Sequence, residues 1–295
     1  MQTALKLVAY ILIGVLGLLV VGLVSLYTIT EQRINKLYDV PVETIAIPAA
    51  LPGELQGRHR MFIGFCQECH GPGLGGQLME DDPMTTRLVA DNLTSGRGGA
   101  GRDFTDADWV RAIRHGIGPN GRSLIVMPSN FFYNLTDADV AVLVAYVKSL
   151  PPVDNELPES SMGPMGRFLL LQDPSLLPAD VIDHTGPRPP EPQPGNALEL
   201  GRYLSFVCTA CHGPDLSGGS NASAGLNLTP AGDLAAWTEA DFIRAMRTGV
   251  TPAGKTLNQE DMPWQAVGLL SDEELKAIWL YLQSVPSVET AAGER

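Results

Sequence analysis

Two five-residue motifs, Cys66-Gln67-Glu68-Cys69-His70 and Cys208-Thr209-Ala210-Cys211-His212, use all four cysteines of this 295-residue chain. None is left for a structural disulfide or a free reactive thiol. A Cys-x-x-Cys pair alone suits a thioredoxin-like redox centre or half of a zinc site. Neither accounts for a histidine directly after the second cysteine in both copies. The spacing does suit covalent haem: two thioethers fix a porphyrin edge, and the adjacent imidazole supplies an axial nitrogen to iron. Cys66, Cys69 and His70, and Cys208, Cys211 and His212, are therefore expected to hold two covalently bound haem c groups.

Each motif heads a copy of one longer pattern. The first copy runs GFCQECHGPGLGG, DNLT, FTDADWVRAIRHGIGPNGR and MPSNFFYNLTDADVAVLVAYVKSLP. The second runs SFVCTACHGPDLSGG, LNLT, WTEADFIRAMRTGVTPAGK and MPWQAVGLLSDEELKAIWLYLQSVP. Asn92 matches Asn227, Trp109 matches Phe242, Gly116 matches Gly249, Tyr146 matches Tyr281 and Pro151 matches Pro286. The offset slides between blocks, which puts insertions and deletions in loops.

Helix-start signals of the form Ser/Thr-x-x-Asp/Glu begin at Thr105, Thr136, Thr238 and Ser271. Val140, Leu143, Val144 and Val147, and likewise Leu275, Ile278, Trp279 and Leu282, recur at helical spacing behind them. Pro151 and Pro286 stop those helices. Another helix is expected to lead into each motif, around 54–65 and 197–207. The pattern predicts an all-α fold in which a small unit is used twice, over residues 53–152 and 195–288.

Ahead of the repeats, Val8 to Ile29 is 22 residues without a charge, long enough to cross a hydrocarbon core as a helix. A cleaved signal peptide has a shorter apolar region and a small-x-small site, which Ser25-Leu26-Tyr27-Thr28 does not supply. Residues 1–30 are read as an uncleaved anchor in the lipid bilayer. Lys6 on one side and Arg33 and Lys36 on the other do not decide orientation. Covalent haem attachment does: it occurs outside the cytoplasm. The reading is a single-pass protein of the inner membrane with its haem domains on the periplasmic side. Between the repeats, residues 151–194 carry 11 of the 23 prolines, so 153–194 reads as a proline-rich linker, extended over PRPPEPQP. Within it, Phe168-Leu169-Leu170-Leu171 is apolar enough to pack on a haem domain. The net charge of −13 argues against a nucleic-acid partner.

A second axial ligand must come from elsewhere in each repeat, and methionine sulfur is the usual donor that raises a haem potential. Candidates are Met79, Met84 and Met127 in the first repeat, and Met246 and Met262 in the second. Only Met127 and Met262 occupy equivalent places, each followed by proline before the last helix. Met246 and Met61 lie on expected helices and read as core. His115 competes with Met127, but its counterpart is Thr248. His59 reads as a surface residue, and His184 as a linker residue without supporting context. The carbonyls of Pro72 and Pro214 are candidates to accept the proximal imidazole N–H.

The order Cys-x-x-Cys-His, Met-Pro, closing helix with Tyr and terminal Pro resembles the class I cytochrome c family over both repeats. The segments IRHGIGPNGR and MRTGVTPAGK are similar to the cytochrome subunits of membrane-bound alcohol and aldehyde dehydrogenase complexes, which carry three haem motifs where this chain has two. The resemblance implies one-electron transfer between iron(II) and iron(III), with no substrate chemistry at an iron whose axial positions are both filled. The implied role is an electron carrier between respiratory or photosynthetic membrane complexes, with a quinol-oxidising complex, a dehydrogenase or a terminal oxidase as partner. The alternatives are a haem enzyme of the dihaem peroxidase or thiosulfate-oxidising type, or an electron-transfer subunit held in a dehydrogenase complex.

Overall fold

Each of the four Ser/Thr-x-x-Asp/Glu signals starts a helix in the computed structural model, which describes residues 2–51, 53, 55–218 and 225–289. Helices α3 (Asp106–His115), α9 (Glu239–Thr248) and α11 (Asp272–Ser284) each begin with a closed capping box. The hydroxyls of Thr105, Thr238 and Ser271 accept a backbone N–H, and the carboxylates of Asp108, Asp241 and Glu274 accept the cap N–H in return. Helix α5 (Asp137–Ser149) is different. Thr136 Oγ1 accepts from Asp139 N at 3.2 Å, but the Asp139 carboxylate is turned elsewhere. The orphaned N–H of Thr136 donates instead to the hydroxyl of Tyr203, in the second repeat, at 3.2 Å.

Helix α2 (Gly57–His70) runs unbroken into the first Cys-x-x-Cys-His turn. In the second repeat α7 (Ala197–Leu204) passes through a 3-10 turn at Ser205–Cys208 into α8 (Thr209–His212). The Met-Pro loops end in short helices, α4 (Ser129–Phe132) and α10 (Trp264–Val267). The long N-terminal helix α1 (Gln2–Ile34) is apolar enough to cross a membrane.

A small sheet and a folded connector accompany the helices. The fold is mainly helical but not purely so: β1 (Gln77–Asp81), β2 (Thr86–Ala90) and β3 (Ser161–Met162) form an antiparallel sheet in that order. It grows from the loop between His70 and Asn92 in the first repeat. All five residues of β1 are exposed, so the sheet extends the surface rather than the core. The segment after Pro151 is folded as well. It supplies β3, a helix α6 (Pro164–Gln172) and two 3-10 turns, all packed on the first repeat and on α1.

One hydrophobic cluster runs through both repeats. Met61, Phe62, Leu135, Val140 and Val144 of the first belong to it with Tyr203, Leu204, Leu275, Ile278 and Leu282 of the second. At this junction the helix leading to each motif meets the capped start of the other repeat's last helix. Arg58 N donates to Glu274 Oε1 at 2.9 Å, and Gly57 lies so close that a Cβ there would fall 2.7 Å from Leu270 Cα.

Across the same junction, Asp139 is fully buried. His59 Nε2 lies 2.8 Å from its Oδ1, the Tyr203 hydroxyl donates to its Oδ2, and Arg58 Nε is 2.9 Å away as a charge contact without hydrogen-bond alignment. Burial raises its pKa, but the His59 hydrogen bond, the Arg58 charge and the Tyr203 hydroxyl outweigh it and hold it below the usual carboxylate range. His59, read from sequence as a surface residue, is therefore buried and paired. A depressed carboxylate contributes stability above its unfolded pKa and loses it as pH falls through the folded one. Stability should thus fall below about pH 4, and Asp139→Asn should flatten that acid limb in denaturant titrations. Asp139→Ala should cost about 3–5 kcal/mol by leaving Arg58 and His59 buried without their partner, and Tyr203→Phe about 1–2 kcal/mol.

Candidate haem sites

Both Cys-x-x-Cys-His turns end on a glycine with positive φ, Gly71 and Gly213, and are closed alike: Gly76 N donates to His70 O, and Gly218 N to His212 O, both at 2.9 Å. Each imidazole is fixed by a backbone carbonyl. His70 Nδ1 lies 2.7 Å from Asp91 O, and His212 Nδ1 lies 2.6 Å from Leu226 O. The expected acceptors, Pro72 and Pro214, do not serve; Pro72 O accepts from Gln67 Nε2 at 2.8 Å. The carbonyl has to stand across the ring from the helix end, and a residue two places on in the same turn cannot reach there.

The repeated Asn-x-Thr block holds those carbonyls in place, a role that the sequence marked only as a match. Asn92 Nδ2 donates to Val153 O and Asn227 Nδ2 to Val288 O, both at 2.7 Å. The N–H of Thr94 donates to Asn92 Oδ1 at 2.9 Å, and that of Thr229 to Asn227 Oδ1 at 2.8 Å. Each block thus ties the segment beside the imidazole to the chain leaving the last helix.

This donor set fits a covalent haem. With Nδ1 held by a carbonyl, Nε2 of each ring is left for iron, and the bond to the carbonyl sets the tautomer. Burial pushes the pKa of both His70 and His212 down, which favours the neutral ring that iron takes. Burial, with the neighbouring cysteine's charge, pushes Cys66 and Cys208 up to about 12, so their sulfurs stay thiols at neutral pH until bonded. Trp109 Nε1 and Trp264 Nε1 are buried donors with no acceptor among the described residues, as expected where a group with acidic substituents enters.

The methionines separate by surroundings. Met79 and Met84 lie exposed on the β1–β2 hairpin, while Met61 and Met246 are buried in the core. Met127 and Met262 are half-buried against the shared cluster. Their loops are built alike: Ser129 N donates to Met127 O at 2.8 Å and Trp264 N to Met262 O at 2.6 Å. Val126 before Met127 has φ of 63°, unusual for a β-branched residue. His115 is fully buried with both ring nitrogens engaged, Nδ1 at 3.0 Å from His184 Nδ1 and Nε2 at 3.3 Å from Glu43 Oε2. Burial and the nearby positive groups push its pKa down to about 4. His184, which had no context in the sequence, is its partner.

The two sites are neighbours. Helix α2 packs on α10, and Glu68 Oε1, inside the first motif, accepts from Gln259 Nε2 of the Met262 loop at 3.1 Å. Phe62 and Phe206, which precede the two motifs, have ring centroids 6.2 Å apart.

Gly225 gives a test of the imidazole cradle. A Cβ there would fall 2.5 Å from His212 Nδ1, which is already held by Leu226 O. Gly225→Ala should displace the ring, so that the pyridine haemochrome assay finds haem per chain falling from two toward one while the first site is unaffected.

Known proteins match this chain in sequence over both repeats. The family described as cytochrome c oxidase, cbb3-type, subunit III matches residues 54–147, and the cytochrome c family matches residues 199–286. A nicotinate dehydrogenase subunit of Pseudomonas putida is 34% identical over 67% of this chain but only 17% of its own length. The fructose dehydrogenase cytochrome subunit of Gluconobacter japonicus is 25% identical over 84% of this chain and 55% of its own. This chain therefore spans about half or less of these two relatives. A diheme cytochrome c-type protein of Cereibacter sphaeroides is 28% identical over 82% of this chain and 89% of its own length. With a cytochrome c family matched at each repeat and a Cys-x-x-Cys-His turn in each, the chain belongs to the c-type cytochromes and carries two covalently bound haem c groups.

Proposed function

We propose that this chain is a membrane-tethered dihaem electron carrier. Haem iron supplies a reversible one-electron change; the chain fixes where the two irons stand and what reaches them. The observation that carries the reading is the contact between the sites. The turn holding the first haem touches the loop that closes the second through Glu68 and Gln259, and Phe62 faces Phe206 between the two helices. Sites so placed form a relay inside one body.

Met127 and Met262 are the proposed second axial ligands, within domains 53–152 and 195–288. The matched Met-Pro loops support this, as does the engagement of both His115 nitrogens within the protein. Held by Met and His together, each haem iron would have no site left for a substrate, so the chain itself would carry electrons without substrate chemistry. The presence of fructose and nicotinate dehydrogenase subunits among the relatives supports a dehydrogenase as electron donor. A quinol-oxidising complex is the alternative donor, and a terminal oxidase as acceptor completes the path. Helix α1 is the proposed single-pass anchor, with the haem domains on the extracytoplasmic side where covalent attachment takes place. Anchoring raises the local concentration of carrier at its partners without tight binding.

The oxidised protein should show the weak red absorption of iron–sulfur ligation, and Met127→Ala and Met262→Ala should each remove roughly half of it and lower one haem potential. An unchanged band in either variant removes that ligand assignment. Fast hydrogen peroxide turnover by the purified protein would overturn the carrier reading in favour of an enzyme.

A further inference from the structure

Helix α6 is apolar on the side that a soluble domain would show to water. Leu170 is fully buried with Met162 and Leu177, and Ile34 of α1 packs on that cluster. Met165, Phe168, Leu169 and Leu171 point the other way and are 49%, 50%, 48% and 40% exposed. Positions 165, 168 and 169 lie three and four apart, so they form one stripe. Met84, 59% exposed, adjoins the stripe, since Met165 N donates to Met84 O at 2.8 Å. A surface helix normally turns polar residues outward, and a contiguous exposed apolar patch marks a contact.

The position of α6 identifies what covers it. Arg167 donates to Thr30 Oγ1 at 2.8 Å and to Glu31 Oε2 at 2.7 Å, and its guanidinium stands 4.4 Å from the centre of the Tyr27 ring. Arg33 Nη1 donates to Leu170 O at 2.8 Å, and Arg33 and Lys36 both pair with Asp180 beyond the end of α6. These bonds pin α6 along residues 27–34, where the uncharged run of α1 ends at Ile29. The end of such a run coincides with the boundary between acyl chains and headgroups. Arg167, Arg33 and Asp180 are engaged in the α1 contact, which leaves the apolar stripe facing outward at that level.

We propose that α6, with Met84, is a second membrane contact, lying in the interfacial layer with Met165, Phe168, Leu169 and Leu171 among the acyl chains. The proposal rests on the reading of α1 as a membrane helix. Helices of this kind bind a bilayer through buried apolar area rather than by spanning it. Because the Arg167, Arg33 and Asp180 bonds lock α6 to α1, the haem domains are held at one attitude to the membrane instead of swinging on a tether.

The test uses the full-length holoprotein in phosphatidylcholine–phosphatidylglycerol nanodiscs, with single nitroxides on Phe168→Cys, Leu16→Cys and Glu239→Cys. Collision with oxygen reports acyl surroundings and collision with a water-soluble nickel chelate reports water. The label at 168 should favour oxygen several-fold more than the label at 239, approaching the label at 16. A label at 168 that matches 239, while 16 still favours oxygen, overturns the proposal and leaves the anchor intact. A label at 168 shielded from both reagents reports a protein cover and overturns it equally. If the label at 16 meets the chelate, the anchor reading falls and this proposal falls with it.

Discussion

A carboxylate with no access to water determines how the two halves of this molecule meet. Apolar surfaces attract without direction, so the shared cluster of Phe62, Leu135, Leu204 and Leu275 explains why the repeats adhere but not at what angle. Asp139 adds direction. Its Oδ1 is held by His59 and Arg58 from α2 of the same repeat, while its Oδ2 takes the Tyr203 hydroxyl from α7 of the other, so any other docking leaves that oxygen buried without its donor. Exposed ion pairs such as Arg97 with Asp154 exert no such control, because water replaces either partner at little cost.

The elements that converge on Asp139 also carry the chemistry. His59 and Arg58 lie near the start of α2, and the same helix ends in Cys66, Cys69 and His70. Tyr203 lies on α7, which leads through one 3-10 turn into Cys208 and His212. Fixing these helices at one end fixes the haem-bearing turns at the other. Electron transfer rates fall steeply with separation, and rigid helices anchored at a common point hold the two haem-bearing turns at one spacing. The contact of Glu68 with Gln259 is the visible result.

What was legible in the sequence was local or repeated. Haem turns, capping signals and Met-Pro loops each depend on residues a few places apart, and the duplication supplied an internal control for every one. Partners far apart in the chain were not legible. His59 looked like a surface residue because the partner that it meets in the interior, Asp139, lies 80 residues further along the chain. Pro72 and Pro214 looked like imidazole acceptors because they were near in sequence, while the true acceptors, Asp91 and Leu226, come from the segment across the ring. His184 gained meaning only when the chain after Pro151 folded back onto His115. The hairpin of β1 and β2 lay in the insertion that distinguishes the first repeat, where the internal control had no counterpart to offer.

The borrowed cap at Thr136 bears on how such a chain is made. At Thr105, Thr238 and Ser271 the helix start is completed by its own acidic residue, within one turn; here the acceptor is Tyr203, which follows much later in the chain. As the chain leaves the ribosome amino terminus first, the last helix of the first domain emerges with a bare N–H at Thr136 and with Asp139 still lacking the Tyr203 hydroxyl. That domain reaches its final form only after the second has followed it out. The duplicated halves have therefore ceased to be interchangeable units, and maturation of the first is timed by the arrival of the second.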